Sequence, residues 1–412
     1  MMIRYALARN LCSNLRNLAK SQSCQTIGNN PLAPACLPLA VSSKHLAQNY
    51  NTSIVRCNTS IRNGNGLSTL PYDSSQSDSQ HRSMATMPAI NVQQSTYKLA
   101  EQLIVNIKKE LKSEQAELEE IATYYFDGQG KAYRPMIVIL IGRAFNRHLG
   151  QEVELSEAQK VVAMVAEMIH TSSLVHDDVI DSADTRRGKP SINILYGQRK
   201  SILAGDYILS RASQMLARLG NEDILVVLSH ILLDLVRGEF MQMSTKPGEN
   251  KRFDHYINKS FKKTASLIAH TCKAVTLLSG GNEAQQEAAF EYGRNLGIAF
   301  QLVDDLLDFE SSQSELGKPA AADLKLGLAT APVLYASAQF EELDAMIARR
   351  FSEPGDVEKA YDLVMRSDGL VKTRELAKEH VQTALDNIAQ LKDSEEKRSL
   401  ITLAEMTISR RK

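Results

Sequence analysis

Residues 161–181 read Val-Val-Ala-Met-Val-Ala-Glu-Met-Ile-His-Thr-Ser-Ser-Leu-Val-His-Asp-Asp-Val-Ile-Asp. Val161, Val165, Met168 and Ser172 recur at helical spacing, with none of the alternation a strand needs. The stretch reads as a helix that runs into an Asp-Asp-x-x-Asp cluster at Asp177, Asp178 and Asp181. A second stretch, Leu302-Val303-Asp304-Asp305-Leu306-Leu307-Asp308, closes another periodic segment marked by Leu296, Phe300, Val303 and Leu307. Outward from these, Leu99, Leu103, Ile107 and Leu111 form one more stripe, and Leu225, Leu228, Leu232 and Leu235 another. Gly and Pro fall mostly between such segments, as in Arg187-Gly188-Lys189-Pro190 and Gly317-Lys318-Pro319. The expectation is an all-α chain of about ten or more helices in one domain over residues 91–412. No fixed short repeat is visible, which argues against a solenoid.

The two clusters carry the chemistry. On a helix, positions i and i+4 share a face, so Asp177 projects with Asp181 and Asp304 with Asp308. Like charges at that spacing destabilise a bare helix, and a cation should compensate them. Hard carboxylate oxygens, with no Cys and no His at ligand spacing, suit Mg²⁺, which takes one or two carboxylates together with phosphate oxygens. The bland alternative is an acidic helix end on the surface. Two such clusters, each embedded in apolar sequence, argue against it. Basic segments stand nearby in sequence: Arg186-Arg187-Gly188 just after the first cluster, and Gly130-Lys131-Ala132-Tyr133-Arg134-Pro135 earlier. Lys and Arg beside Mg²⁺-binding carboxylates point to a polyanionic substrate, most simply a diphosphate.

Composition narrows the classes. The 412 residues hold 48 basic and 48 acidic side chains, so a general nucleic-acid binder is disfavoured. No apolar run approaches the ~18 residues of a spanning helix. The even balance hides an asymmetry, because Met1 to Tyr72 contains no Asp or Glu but seven Lys or Arg. Within it Ile3, Leu7, Leu11, Leu15 and Leu18 lie on one side of a helix, with Arg9, Arg16 and Lys20 around it. That is the composition of a mitochondrial transit peptide, and the Ser-, Asn-, Gln- and Pro-rich stretch to Met87 reads as disorder. Residues 1–90 are therefore expected to be a leader. Four of the five cysteines (Cys12, Cys24, Cys36 and Cys57) lie in it, so no disulfide framework is expected in a mature chain. The remaining one, Cys272, reads as a small core residue.

The ordered motifs match a family. From about residue 95 onward the chain resembles the trans-isoprenyl diphosphate synthases. The matching elements are G-K-x-x-R-P at 130–135, D-D-x-x-D at 177–181, R-R-G at 186–188, Gly238-Glu239 with Gln242, Lys263-Thr264, Phe300-Gln301 with the second D-D-x-x-D, and Gly317-Lys318-Pro319. The resemblance implies the isoprenoid synthase fold, one large helical domain around a central cavity. It implies prenyl transfer, in which isopentenyl diphosphate is condensed repeatedly onto an allylic diphosphate such as farnesyl or geranylgeranyl diphosphate. Segments such as Tyr125-Phe126-Asp127-Gly128 and Leu235-Val236-Arg237-Gly238-Glu239-Phe240 are most similar to animal mitochondrial members. These make the nona- or decaprenyl side chain of ubiquinone and work as heteromers. With both clusters intact, this chain resembles their catalytic subunit, expected in the matrix or peripheral to the inner membrane.

Carried over by motif, the resemblance assigns roles. Asp177, Asp178, Asp181, Asp304, Asp305 and Asp308 form the catalytic set. Asp177 and Asp181 bind two Mg²⁺ ions from one wall, and Asp304 binds a third from the other. Arg186 is implied as an allylic-diphosphate ligand, with Lys263, Thr264 and Gln301 lining that side and Lys318 reaching its diphosphate. Lys131, Arg134, His170 and Arg187 are implied for isopentenyl diphosphate. His170 can equally be a satisfied core histidine, although its place seven residues before Asp177 puts it on the same helix face. His176 reads as a neighbour of the cluster. The family often has Gly-Lys after the second cluster. Here Gly327-Leu328 stands in its place, with Lys325 the nearest basic replacement. Small residues at Ser172 and Ser173, one turn below the first cluster, leave room for an elongating tail. Rival readings are a His-Asp phosphohydrolase, a terpene cyclase and a non-catalytic scaffold subunit. The first needs a second upstream His and a distant Asp closing one metal site and has no use for Arg186-Arg187 or the second cluster, the second usually lacks a second D-D-x-x-D, and the third has no need of intact clusters.

Overall fold

A computed structural model describes residues 94–127, 133–243, 252–310 and 321–410; the leader over 1–90, Lys131 and Lys318 lie outside the described residues. The chain is helical almost throughout, as the periodicity predicts. In order come α1 (Gln94–Glu110), α2 (Ala116–Thr123), α3 (Tyr133–His148), α4 (Glu157–Ile180), α5 (Ile192–Tyr196), α6 (Gln198–Arg218), α7 (Glu222–Met243) and α8 (Arg252–Ser260). A π-helical turn, Phe261–Ala265, joins α8 to α9 (Ser266–Leu278), and α10 (Glu283–Glu310) follows. Then come α11 (Ala322–Lys325), α12 (Ala331–Ser337), α13 (Glu342–Ala348), α14 (Asp356–Arg366), α15 (Gly369–Ile388) and α16 (Glu395–Ser409).

Two long helices organise the molecule, and each ends in an aspartate cluster. α4 starts on a reciprocal cap: the Ser156 hydroxyl accepts from the Gln159 backbone, and the Gln159 amide oxygen accepts from the Ser156 N–H. Its apolar residues are buried on every side, including Val162, Ala163, Val165, Ala166, Met168 and Ile169. That makes α4 a central helix with no solvent face in its middle. α10 is packed through glycine. A Cβ on Gly297 would lie 2.5 Å from Cα of Ala265, and one on Gly293 would lie 2.8 Å from Cα of Ala269. The contact of α10 with the π turn and α9 is therefore nearly backbone to backbone. Gly238 of α7 approaches the π turn from another side, where a Cβ would meet the Lys263 nitrogen at 3.1 Å. A separate core of Phe309, Leu324, Val333, Leu343, Met346 and Leu363 supports the segment after α10.

One element departs from the all-helical expectation. After the first cluster, Thr185–Arg186 pairs antiparallel with Lys189–Pro190. Arg187 and Gly188 make the turn, both at positive φ (54° and 76°), the geometry a two-residue hairpin requires. The Arg-Gly pair was the only local signal for it. Among the described residues, no helix is long and apolar enough to cross a membrane.

Candidate active site

The first wall is the end of α4. Asp181 caps the helix and its N–H returns to the Asp177 carbonyl at 2.8 Å, so the two side chains share a face as the spacing predicts. Burial, reinforced by Glu239 and Asp181, pushes the Asp177 carboxyl up to about 6 despite the opposing charges of Lys263 and Arg186. Lys263 bridges this wall to α7: its ammonium lies 3.0 Å from Glu239 and donates to Gln242 at 3.2 Å. Burial opposes its charge, but Asp177 and Glu239 outweigh that and hold it above the usual lysine range. The π turn is what presents Lys263 and Thr264 here, and such turns recur at functional sites.

Asp178 has a different task. It is fully buried, accepts from Nε and Nη2 of Arg186 at 2.8 and 2.5 Å, and accepts from the Tyr125 hydroxyl at 2.7 Å. The Tyr125 oxygen also accepts from the Ile192 N–H at 3.2 Å. Asp178 thus ties the hairpin, the loop after α2 and α5 to the cluster, and it orients Arg186.

The second wall repeats the device. Asp305 is buried and accepts from the Tyr256 hydroxyl and from Gln301 at 2.9 Å, while the Gln301 amide oxygen accepts from Thr264 at 2.8 Å. In each cluster, then, the middle aspartate is buried and held by a tyrosine from a distant segment. Asp308 accepts the N–H groups of Ala322 and Asp323, both at 3.0 Å, and so fixes the start of α11. Burial and the crowd of Asp305, Asp308 and Asp304 push the Asp323 carboxyl up to about 8. Asp304 is the exposed member, its side chain 58% accessible, and it meets Arg410 at 3.1 Å. The Arg410 guanidinium lies 3.8 Å over the Phe300 ring and donates to the Phe300 carbonyl at 2.9 Å.

Beside the first wall lies a cationic pocket. Burial first, then the charges of Arg134, Arg187 and Arg186, push the His170 imidazole well below its usual range, so it is neutral. That grouping favours the functional reading of His170 over a core histidine. Buried Glu167 stands against Arg134 and Arg187, and Nε of Arg134 is buried with no hydrogen-bond partner among the described residues. Arg134 also feels Asp304, which links this pocket to the second wall.

The structure brings together Asp177, Asp181, Arg186 and Lys263 on one side, Thr264, Gln301, Asp304 and Asp305 on the other, and Arg134, His170 and Arg187 in the pocket. Ser172 is engaged elsewhere. Its hydroxyl is buried and donates to the Gly205 carbonyl at 2.8 Å in the α4–α6 contact, so Ser173 is the half-buried one of the pair. Lys325 is exposed on α11. Sequence reading assigned no role to Tyr125, Tyr256, Glu167, Asp323 or Arg410. None carries a local signal, because each acts on a residue far along the chain or across a loop.

Among the described residues, no three His, Cys, Asp or Glu side chains converge into a finished metal site. The donors are instead divided, Asp177 and Asp181 at the end of α4 and Asp304 near the end of α10, which suits a hard divalent ion that completes its shell with phosphate oxygens. The raised Asp177 carboxyl, crowded by Asp181 and Glu239, is the charge surplus such an ion relieves. The residues present therefore fit Mg²⁺ or Ca²⁺.

A family model described as polyprenyl synthetase matches residues 115–364. The human all trans-polyprenyl-diphosphate synthase PDSS1 is 52% identical over 310 residues, covering 75% of this chain and 75% of that protein. The mitochondrial solanesyl-diphosphate synthase 1 of Oryza sativa subsp. japonica is 41% identical over 318 residues, covering 73% of this chain and 74% of that one. Among solved structures, the polyprenyl synthase of Caulobacter crescentus, complexed with calcium and isoprenyl diphosphate, is similar with a TM-score of 0.68. It is 30% identical, and the match covers 77% of this chain and 97% of that one. Because the family match runs over more than half of the sequence and takes in both aspartate-tipped helices, the chain belongs to the polyprenyl synthetase family.

Proposed function

We propose that this chain is the catalytic subunit of a mitochondrial, Mg²⁺-dependent synthase that makes the nona- or decaprenyl side chain of ubiquinone. The chain is a trans-prenyltransferase of the long-chain class, an all-α enzyme that builds a polyprenyl diphosphate. Enzymes of this family depend on a divalent metal and use isopentenyl diphosphate with an allylic diphosphate. One observation carries the finer reading. Asp177 and Asp181 end one long helix and Asp304 lies near the end of the other, with the half-buried Arg134–His170–Arg187 pocket and its unpartnered Arg134 nitrogen beside them.

In this reading Asp177, Asp181 and Asp304 would hold Mg²⁺ for the allylic diphosphate. When bound, the ions neutralise that diphosphate and make it a leaving group. Lys263 and Arg186 approach it from the first wall, Arg186 being aimed by Asp178. Arg134, Arg187 and neutral His170 hold the diphosphate of isopentenyl diphosphate. The C1–O bond of the allylic substrate breaks, and the isopentenyl double bond attacks C1. The proton then leaves C2 of the isopentenyl unit for the released diphosphate. Apolar walls such as Met168 and Ile169 keep water from the cation. Arg410 pairs with Asp304, so a metal held by that carboxylate would compete with this ion pair.

Residues 1–90 are proposed as leader and 91–412 as the enzyme, acting in the matrix. The acid-free, basic start supports this, and the rice relative is named as mitochondrial. A second, non-identical synthase subunit is proposed as partner, supported by exposed apolar side chains on α6 and α7 and by the sequence likeness to heteromeric animal enzymes. The test is labelled isopentenyl incorporation with farnesyl or geranylgeranyl diphosphate and Mg²⁺, by this chain alone and with the partner. Products of nine or ten units are expected. Absence of incorporation in both, or products of four units or fewer, would overturn the reading.

A further inference from the structure

α8 and the π turn carry two lysines one turn apart, Lys259 and Lys263. Each faces one of the two aspartate clusters. Lys263 stands near Asp177 and Asp181, and Lys259 near Asp305 and Asp323, with Glu239 close to both. Their commitments differ. Lys263 has Glu239 and Gln242 within 3.2 Å. The Lys259 ammonium, among the described residues, makes no hydrogen bond and no ion pair shorter than 4 Å, and it lies 5.7 Å from the centroid of the Tyr256 ring. It is half-buried all the same. A desolvated ammonium without a partner is costly, so an anion is the missing element.

The bland account is that Lys259 only balances the second cluster. Asp305 has no need of it, because Tyr256 and Gln301 already occupy its two oxygens. Lys259 lines a cavity of about 80 Å³ with Gln242, Tyr256, Leu328 and Arg350. Arg350 is taken up by the Gln242 and Met243 carbonyls, and the other guanidinium of the cavity, Arg252, by Asp344. Among the described residues, Lys259 is therefore the cation of this cavity whose charged nitrogen has no hydrogen-bond partner. Gln242, which Lys263 also holds, connects the cavity to the first wall.

We propose that Lys259 is a second diphosphate-binding lysine of the allylic site, serving the wall of Asp304 and Asp305 as Lys263 serves the wall of Asp177. This rests on the prenyltransferase reading above and adds a residue to it. Lys259 neutralises charge on the allylic diphosphate as the C1–O bond breaks and makes no contact with isopentenyl diphosphate. Leu328, on the same cavity, marks where a lysine from another element could reach the same anion.

Three variants of the full chain test this: Lys259→Gln, Lys259→Arg, and Lys259→Gln combined with Leu328→Lys. Two quantities are read, steady-state constants for each substrate and the rise in melting temperature on adding inorganic pyrophosphate with Mg²⁺. A charge-assisted hydrogen bond of the usual strength predicts about a 10- to 100-fold loss in kcat/KM for the allylic substrate in Lys259→Gln. The isopentenyl diphosphate KM should stay unchanged, and the unliganded melting temperature should hold or rise, because an unpartnered desolvated charge is removed. Lys259→Arg should keep most of the activity. The added lysine at 328 should restore pyrophosphate stabilisation and the allylic constant. An unchanged allylic constant and pyrophosphate shift in Lys259→Gln would overturn the proposal, as would equal losses for both substrates with no recovery from Leu328→Lys. Pyrophosphate binding reads Lys259 without turnover. A wild type that binds pyrophosphate through Lys259 yet incorporates no isopentenyl unit would therefore fail the prenyltransferase reading and leave the anion site standing.

Discussion

Asp177 and Asp178 are neighbours in sequence and opposites in environment. Asp177 is an anion held against its preference: burial and nearby acids push its carboxyl up to about 6, above the ~3.9 of an unfolded aspartate. A carboxyl raised in this way lowers stability as pH climbs from about 4 through 6, and the full cost is present above that. Asp177→Asn should therefore make the metal-free protein more stable at pH 7.5, by on the order of 1 kcal/mol, with the gain vanishing below about pH 4. The same change should lower turnover by about 100-fold or more through lost charge stabilisation. Asp178→Asn should do the reverse to stability. It breaks a buried ion pair with Arg186 and a bond from Tyr125, at a cost of about 3–5 kcal/mol. Urea melts of the two variants at pH 7.5 and pH 4, without metal, check both signs. Two destabilised variants would mean that Asp177 too is a structural residue.

At the scale of elements, the α4–α6 contact separates two serines that sequence treats alike. Ser173 is half-buried, its hydroxyl returning to the His170 carbonyl at 2.8 Å, whereas Ser172 is buried against Gly205. Ser173→Phe should plug the path of the growing tail and give short prenyl diphosphates while isopentenyl incorporation persists. Ser172→Phe should instead force the helices apart at a cost of about 1–3 kcal/mol, read as a lower melting temperature. Chromatography of the dephosphorylated products and thermal melts distinguish them; long products from Ser173→Phe would place the ruler elsewhere. The π turn makes a second case. A methyl on Gly297 meets the Ala265 Cβ at 2.6 Å, so Gly297→Ala must push the turn that presents Lys263 and Thr264. The expected result is a loss of about 1–3 kcal/mol together with a drop in turnover, since the strain falls on the catalytic segment. Normal turnover in a destabilised Gly297→Ala would show that the turn tolerates displacement.

For the whole molecule, the unsatisfied feature is an apolar face. Ile202 and Leu203 of α6 and Val226, Leu233 and Phe240 of α7 are between 39% and 56% exposed. The last three recur every seven residues, the spacing of a helix face prepared to pack on another helix. Single exposed apolar residues are ordinary, but a run on two adjacent helices marks an interface. Sedimentation of the chain, alone and co-expressed with a partner synthase subunit, should show an assembly. Leu233→Glu with Phe240→Glu should dissociate it without unfolding the subunit. A fully active monomer that sediments identically with and without those charges would contradict this.

Periodicity alone determined that the chain is helical and where the aspartates stand, because the 3.6-residue repeat and the i, i+4 spacing are local properties of Val161–Asp181 and Leu302–Asp308. The residue types also carried the chemistry: hard oxygen donors and arginines ask for a divalent ion and a phosphate wherever they meet. The sequence could not say which aspartate of each cluster stays available. That depends on Tyr125, 53 residues before Asp178, and Tyr256, 49 before Asp305, whose hydroxyls bury the middle carboxylates. Nor could it distinguish Ser172 from Ser173, since a helical repeat fixes relative directions but not which neighbour lies along each. The hairpin at Arg187-Gly188, the π turn and the uncommitted ammonium of Lys259 are likewise tertiary facts. The π turn stands where it does because Gly238 and Gly297 let α7 and α10 approach its backbone, at distances that no window of sequence contains.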